Sequence, residues 1–377
     1  MDFSFSEEQQ MLQESVQKFV QRHYSFEARR AIVASEAGYS PQHWDLFAEL
    51  GWLMVPFREE DGGFGARATD LMVLMEAFGH AMVVEPFIPT AVLGGGLIAA
   101  LGSAAQKDAM LGKIMEGSVQ IAAGLYEEGS RFNLTNVQTR VQSRGEDYVL
   151  DGSKILVLNG SNADQLLVSA RTAGEPCDAE GISLFLIDAN SAGVHRYGYP
   201  TVDGHRAAQI RLDGVKVPAS ALLGPVGGCL PALEQAVDRA ALCLSAEAVG
   251  AMDALLQKTV EYSKTRKQFG APLSAFQALQ HRMANMFIEC QLARSIVLMA
   301  AMKLDSDIGA AEKAKAVSAA KSRVGRAIRL VGQEAVQLHG GIGITDELDV
   351  GHLFKRITAI ETLFGNTDFH TRRFASL

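Results

Sequence analysis

The sequence predicts a multidomain α+β protein in three parts: an N-terminal helical domain over residues 1–120, a middle β-barrel-like domain over 121–224, and a C-terminal antiparallel helical bundle over 225–377. Three observations carry this. Apolar residues recur at helical spacing at both ends of the chain. Between residues 121 and 224 the period changes to strand-like runs divided by turn signals. Finally, residues 233–264, 275–303 and 312–338 each read as a long amphipathic helix with short connections, the pattern of a bundle.

The opening helix follows from its cap: Ser6 precedes Gln9 by three positions, and Leu12, Val16, Phe19 and Val20 then form an apolar stripe. The stretch LFAELGWLMVPFREEDGGFG, residues 46–65, reads as a helix end, a buried turn at Pro56 and a glycine-rich loop, all with packing roles. Four strands follow in the middle region, YVLDGSKILVLNG, DQLLVSAR, ISLFLID and AQIRLDGVKVP. Asp151-Gly152 and Asp213-Gly214 are expected as hairpin turns, because glycine tolerates the backbone conformations such turns need.

Composition narrows the class. A chain of 377 residues, 48% of them hydrophobic, can bury a large core divided among two or three domains. Charge interrupts the apolar stretches, so no membrane span is expected, and the acidic, polar start MDFSFSEEQQ does not read as a targeting segment. Cys177, Cys229, Cys243 and Cys290 are widely spaced without CxxC or paired-histidine patterns. That spacing argues against a metal site or a disulfide scaffold and for a reducing cytoplasm. A formal net charge of -8 disfavours general nucleic-acid binding, and a polyanionic ligand would need a local basic pocket.

Two segments speak to chemistry. RKQFGAPLSAFQ, residues 266–277, offers Arg266 as a fixed cation with several donors suited to a pyrophosphate, and Gln277 adds amide donors. About sixty residues later QLHGGIGIT begins at Gln337, and its Gly340-Gly341 pair lets backbone approach phosphate oxygens without a Cβ in the way. In order, spacing and helical context these segments closely resemble the acyl-CoA dehydrogenase family, and the resemblance covers essentially the whole chain. It implies that fold, FAD as cofactor at a subunit interface, and Arg266, Phe269, Gln277, Gln337, Gly340 and Gly341 as its contacts. It also implies α,β-dehydrogenation of an acyl-CoA thioester, with Asp238 and Arg239 opening the helix that lines the acyl-CoA channel.

One position breaks the family pattern. The usual catalytic glutamate stands in a Tyr-Glu-Gly-Thr-type loop near the C-terminus, and the matching residue here is Phe364, whose ring cannot accept a proton. The alternative family position, on the first long bundle helix, is Ala240. Glu247 lies seven residues further, about 10 Å along the helix axis and on the same side. Three readings stay open for it: a relocated base, a polar group serving the ligand tail or a subunit contact, and an ordinary helix residue. Glu361 and Asp368 flank the altered loop. Beside the flavin, the family's Thr-Glu-Pro-Gly-type loop becomes Leu125-Tyr126-Glu127-Glu128-Gly129-Ser130, shorter and more acidic, and its Trp-Ile-Thr-Asn-Gly strand becomes Leu156-Val157-Leu158-Asn159-Gly160. His281 reads as a structural or interface histidine, and HLFKR, residues 352–356, as capping or pairing within the bundle.

The resemblance is nearest the small-subunit, pimeloyl-CoA dehydrogenase-like branch, related to steroid side-chain enzymes. It implies an electron-transfer flavoprotein as acceptor and either a homo-oligomer or an α2β2 tetramer with a second family subunit. The alternatives are a non-catalytic flavin-binding partner subunit, and a flavin monooxygenase or oxidase on the same fold.

Overall fold

Ser6 starts the first helix as its sequence dictates: its hydroxyl accepts from the Gln9 N–H at 3.2 Å, and the Gln9 side chain accepts from the Ser6 N–H at 3.1 Å. From there the computed structural model describes residues 5–145 and 147–377. Helices α1 (Glu7–His23), α2 (Phe26–Ala34), α3 (Pro41–Glu49), α4 (Ala68–Ala81), α5 (Gly96–Leu101) and α6 (Ala104–Met115) come first. Strands β1 (Ile121–Gly124), β2 (Arg140–Arg144), β3 (Asp147–Leu158), β4 (Gln165–Arg171), β5 (Ile182–Asp188), β6 (Val194–Pro200), β7 (Arg206–Val217) and β8 (Leu222–Leu223) follow. The chain closes with α7 (Leu230–Thr265), a small hairpin of β9 (Lys267–Gln268) and β10 (Ala271–Pro272), and then α8 (Gln277–Asp305), α9 (Ala310–His339), α10 (Asp349–Thr362) and α11 (Thr367–Ser376). The helical, β, helical order is therefore the order along the chain. By contacts the chain forms two compact units interleaved in sequence, one of Met1–Ala31, Ala68–Val83 and Ala241–Leu377, the other of Ile32–Arg67 and Val84–Ala240.

In the first unit, α4 and α7 meet backbone to backbone. A Cβ on Gly79 would stand 1.8 Å from the Glu247 carbonyl oxygen, and one on Gly250 1.8 Å from that of Glu76, so both positions require glycine. Arg294 of α8 fastens the crossing, reaching Glu76 of α4 at 2.7 Å and Asp253 of α7 at 3.2 Å. Asp305, at the end of α8, caps α4 by accepting from the Ala68 and Thr69 N–H groups at 2.6 and 3.0 Å. The predicted stripe on α1 is realised, with Val16 and Phe19 buried and Leu12 and Val20 half-buried. Helix α7 contains a window of mean hydropathy 1.3, long and apolar enough to cross a membrane, contrary to the expectation that charge interrupts every such stretch. That window is 89% buried within the protein, as befits a core helix.

In the second unit the strands form one mixed sheet in the order β6-β7-β3-β2-β4-β5-β8, and β1 pairs parallel to β4. Its core is apolar, built on Leu150, Val157, Leu166, Phe185, Ile210 and Val215. The two Asp-Gly pairs are not hairpin turns. They lie inside β3 and β7 and face each other where the register breaks between Leu150 and Gly152, with Gly214 left-handed at φ +59°. Asp151 accepts from the Gly214 N–H at 2.7 Å, and a Cβ on Gly152 would meet Thr139 Oγ1 at 2.4 Å, so close approach explains the glycine there.

Candidate active site

The two segments expected to bind phosphate sit at helix ends of the first unit. α7 ends at Thr265, and Arg266 follows with its carbonyl accepting from the Leu273 N–H at 2.9 Å, which closes the β9–β10 hairpin. At the hairpin tip Phe269 and Gly270 both have positive φ, +53° and +80°, and Phe269 is 93% exposed. Gln277 opens α8 without a side-chain cap, leaving N–H groups at a helix N-terminus. α9 ends at His339, whose ring stacks on Tyr262 of α7 at 4.5 Å and so holds the ends of α7 and α9 together. Arg282 of α8 pairs with Glu334 of α9. The structure thus gathers Arg266, Gln277, Gln337, Gly340 and Gly341 at neighbouring helix ends, every one of them exposed. Nothing lies within 4 Å of where a Cβ on Gly340 or Gly341 would stand, and among the described residues Arg266 has no ion-pair partner. A free guanidinium, an uncapped helix start and bare glycine backbone fit a dinucleotide pyrophosphate.

The altered loop joins α10 to α11 in the same unit. Phe364 is buried and left-handed at φ +54°, and Gly365 follows at +110°. Lys321 of α9, almost wholly buried, donates to the carbonyl oxygens of Ile360, Glu361 and Gly365 at 2.8, 3.1 and 2.8 Å. Burial pushes its ammonium down to about 7, against the opposing pull of Glu361. His370 of α11 lies 3.0 Å from the Phe364 carbonyl through Nε2, and burial, then Lys321, lower it to about 3, so it stays neutral. Glu361 accepts from the Thr367 N–H at 3.1 Å, and Asp368 is exposed. The loop is therefore fixed through its carbonyls by two side chains behind it.

Glu247 faces Arg356 of α10, which donates to both carboxylate oxygens at 2.5 and 2.7 Å. Ala240 is fully buried. Within HLFKR, Lys355 pairs with Asp346 at 3.0 Å and the His352 ring meets Phe26 edge-on at 5.0 Å. His281 is exposed on α8.

In the second unit Asp238 is buried, and Arg239 donates to the Pro56 and Ala66 carbonyl oxygens at 3.2 and 2.7 Å, which fixes the glycine-rich loop. Glu127 of the 125–130 loop is turned inward onto Lys154, at 2.5 Å. Leu156 and Asn159 are left-handed at φ +50° and +58°. Phe269, Phe364, Leu156 and Asn159 make up half of the eight non-glycine residues with positive φ among the described residues, and all four lie in segments singled out for the cofactor or acyl group. The sequence reading missed Lys154 and Lys321. Lys321 had a signal, since it falls on the apolar face of α9 with Val317, Val324, Ile328 and Val331.

A helical domain, a mixed sheet and a helical bundle, with a pyrophosphate-fitting cluster at the bundle's helix ends, define a flavoprotein-type oxidoreductase. Residues 6–118, 122–215 and 228–376 match the N-terminal, middle and C-terminal domains of acyl-CoA dehydrogenase, and the chain belongs to that family. FAD is the cofactor this fold is built to hold. The chain is 30% identical over 373 residues to the probable acyl-CoA dehydrogenase YngJ of Bacillus subtilis, covering 98% of this chain and 97% of the relative. It is 32% identical over 369 residues to the acyl-CoA dehydrogenase IpdE2 of Mycolicibacterium smegmatis, covering 98% of each. Among solved structures it is similar to butyryl-CoA dehydrogenase of Megasphaera elsdenii, with a TM-score of 0.92, 26% identity and coverage of 100% and 99%. It is also similar to a chain of the ChsE4-ChsE5 complex of Mycobacterium tuberculosis, with a TM-score of 0.89, 25% identity and coverage of 100% and 98%.

Proposed function

We propose that this chain is the FAD-holding subunit of an acyl-CoA dehydrogenase, engaged in α,β-dehydrogenation of an acyl-CoA thioester, and that it does not remove the α-proton itself. What supports the reading is that Phe364, which the family resemblance sets at the base position, is buried in a loop fixed by Lys321 and His370. Arg266, Gln277 and the start of α8 would hold the pyrophosphate, with Gln337, Gly340 and Gly341 as backbone-close contacts and Phe269 over the exposed rim. FAD, when bound, supplies the hydride acceptor. Phe364 closes the pocket against water and packs on the acyl chain. Asp238 and Arg239 would open the helix that lines the acyl-CoA channel, with Arg239 also donating to the Pro56 and Ala66 carbonyl oxygens. The α-proton then leaves to a carboxylate carried by a second family subunit in an α2β2 assembly, and an electron-transfer flavoprotein takes the electrons. Relatives support such assemblies: one solved neighbour is the ChsE4-ChsE5 complex, and the caffeyl-CoA reductase–Etf complex subunit CarC of Acetobacterium woodii is 27% identical.

A second reading, a flavin-binding partner with no chemistry of its own, draws on the same Phe364 together with the inert, buried Ala240. Both require FAD. The purified chain, alone or with its partner, should be yellow with FAD rather than FMN, and Arg266→Ala should weaken retention by about 1 to 3 kcal/mol, the scale of a lost charge-assisted hydrogen bond. Colourless protein that gains no FAD on reconstitution overturns both readings.

A further inference from the structure

The 125–130 loop and the end of β3 are the two segments expected beside the flavin ring, and a buried ion pair ties them together. Lys154, with no exposed surface, donates to Glu127 at 2.5 Å and to Ser169 at 3.0 Å. The same Glu127 oxygen accepts from the Thr139 N–H at 3.0 Å and its hydroxyl at 2.7 Å, and the other oxygen accepts from the Gln138 N–H at 2.7 Å. Backbone adds a second tie, since the Tyr126 carbonyl accepts from the Ile155 N–H at 2.9 Å. The Ser130 hydroxyl closes the loop, donating to the Glu127 carbonyl at 2.8 Å. On the strand side, the β3–β7 register breaks between Lys154 and Val157, and left-handed Leu156 leaves its side chain 39% exposed.

A buried ion pair is a poor source of stability, because removing two charges from water offsets most of their attraction. What it supplies is fixed geometry. An apolar pair would fill the same space but would not orient the Thr139 and Gln138 amides, nor hold the loop against a strand that is irregular at that point.

We propose that Glu127 and Lys154 are positioning residues for the flavin ring, fastening the 125–130 loop to the 155–159 segment, with its left-handed Leu156 and Asn159, so that both meet the ring as one rigid piece. The proposal rests on the FAD reading above. The acidity of the loop is thereby neutralised from within, and of its two glutamates only the exposed Glu128 faces solvent. Burial alone would raise the Glu127 carboxyl, but Lys154 and Thr139 hold it below the usual range, while burial brings Lys154 down to about 8.

The test uses FAD-loaded full-length protein as wild type, Glu127→Gln and Lys154→Met. Visible circular dichroism reports the ring's surroundings, and the midpoint potential gives the ratio of dissociation constants for oxidised and reduced flavin. In each variant the ring signal should fall by half or more, and that ratio should change at least tenfold, about 30 mV for a two-electron couple. Affinity for oxidised FAD should drop less than tenfold, because the pyrophosphate contacts at Arg266 are untouched. Should Lys154→Met fail to fold, the isosteric Glu127→Gln, which keeps size and one acceptor oxygen, decides. Folded variants with wild-type ring signal and potential would overturn the positioning role alone. Wild-type protein that takes up no FAD would instead remove the reading on which it rests.

Discussion

Glu247 and Arg356 form a two-pronged ion pair between α7 and α10, with Nε on Oε1 at 2.5 Å and Nη2 on Oε2 at 2.7 Å, and with both side chains at most 5% exposed. The carboxylate that remained open as a relocated base is thus committed to a fork-on-fork contact, the strongest geometry a guanidinium offers. To take a substrate proton it would have to give up this two-pronged contact with Arg356.

Glu247→Gln should therefore destabilise the fold, at most by the roughly 3 to 5 kcal/mol that losing one partner of a buried ion pair costs. In the folded fraction, any acyl-CoA-dependent flavin bleaching should persist at the wild-type rate. Thermal unfolding and stopped-flow absorbance read the two effects separately. A normal unfolding midpoint with bleaching abolished would make Glu247 the base after all.

How far this could be read from the chain differs by region. The long helices were legible because their apolar periodicity runs for many turns, and β5 because Leu184 to Ile187 are apolar in an otherwise strand-like run. Strands β2 and β6 were not, since RVQSR and VHRYGYP are largely exposed segments without a clear apolar run, whose pairing is decided by neighbours. The Asp-Gly pairs misled because a glycine that suits a hairpin turn also suits a bulge, and only the register of β3 against β7 distinguishes them. In the candidate site, the sequence could show that Phe364 lacks a proton acceptor. It could not show that Arg356, 109 positions after Glu247, would claim that carboxylate.

The buried lysines make stability depend on pH in an unusual direction. Burial lowers Lys321 to about 7 and Lys154 to about 8 from an ordinary 10.5, so between those values the unfolded chain binds more protons than the folded one. Stability contributed by these groups accordingly rises with pH through that window and is least below about 7. Urea unfolding at pH 7 and pH 9 should show the rise. Lys321→Met should flatten it, provided the protein folds, and a slope unchanged in that variant would assign the effect elsewhere.

Assembly is readable on α8. Phe287, Ile288 and Leu292 are 53%, 51% and 48% exposed on one flank of the helix that begins at Gln277, and Phe269 stands 93% exposed at the neighbouring hairpin tip. Such a stripe beside the candidate cofactor site fits a second family subunit, alike or different. Light scattering should find an oligomer at micromolar concentration, and Phe287→Glu with Leu292→Glu should yield smaller particles that lose FAD. A wild-type monomer that keeps its flavin would contradict this.

Phe364→Glu separates the functional readings most sharply. The loop it sits in is held by groups other than the Phe364 side chain: Lys321 binds the carbonyls of Ile360, Glu361 and Gly365, and His370 binds that of Phe364. A glutamate placed there should inherit the left-handed backbone and so the orientation of a family base, although its burial will raise its pKa and favour the protonated form near neutrality. The homomeric protein with bound FAD should therefore gain flavin reduction by acyl-CoA of about 10² to 10⁴, the usual worth of a positioned general base, with the gain increasing toward higher pH as the carboxyl ionises. Stopped-flow bleaching across a panel of acyl-CoA esters measures it. No gain, together with no acyl-CoA perturbation of the flavin spectrum in wild type or variant, would leave the chain as a flavin-binding partner without a substrate site of its own.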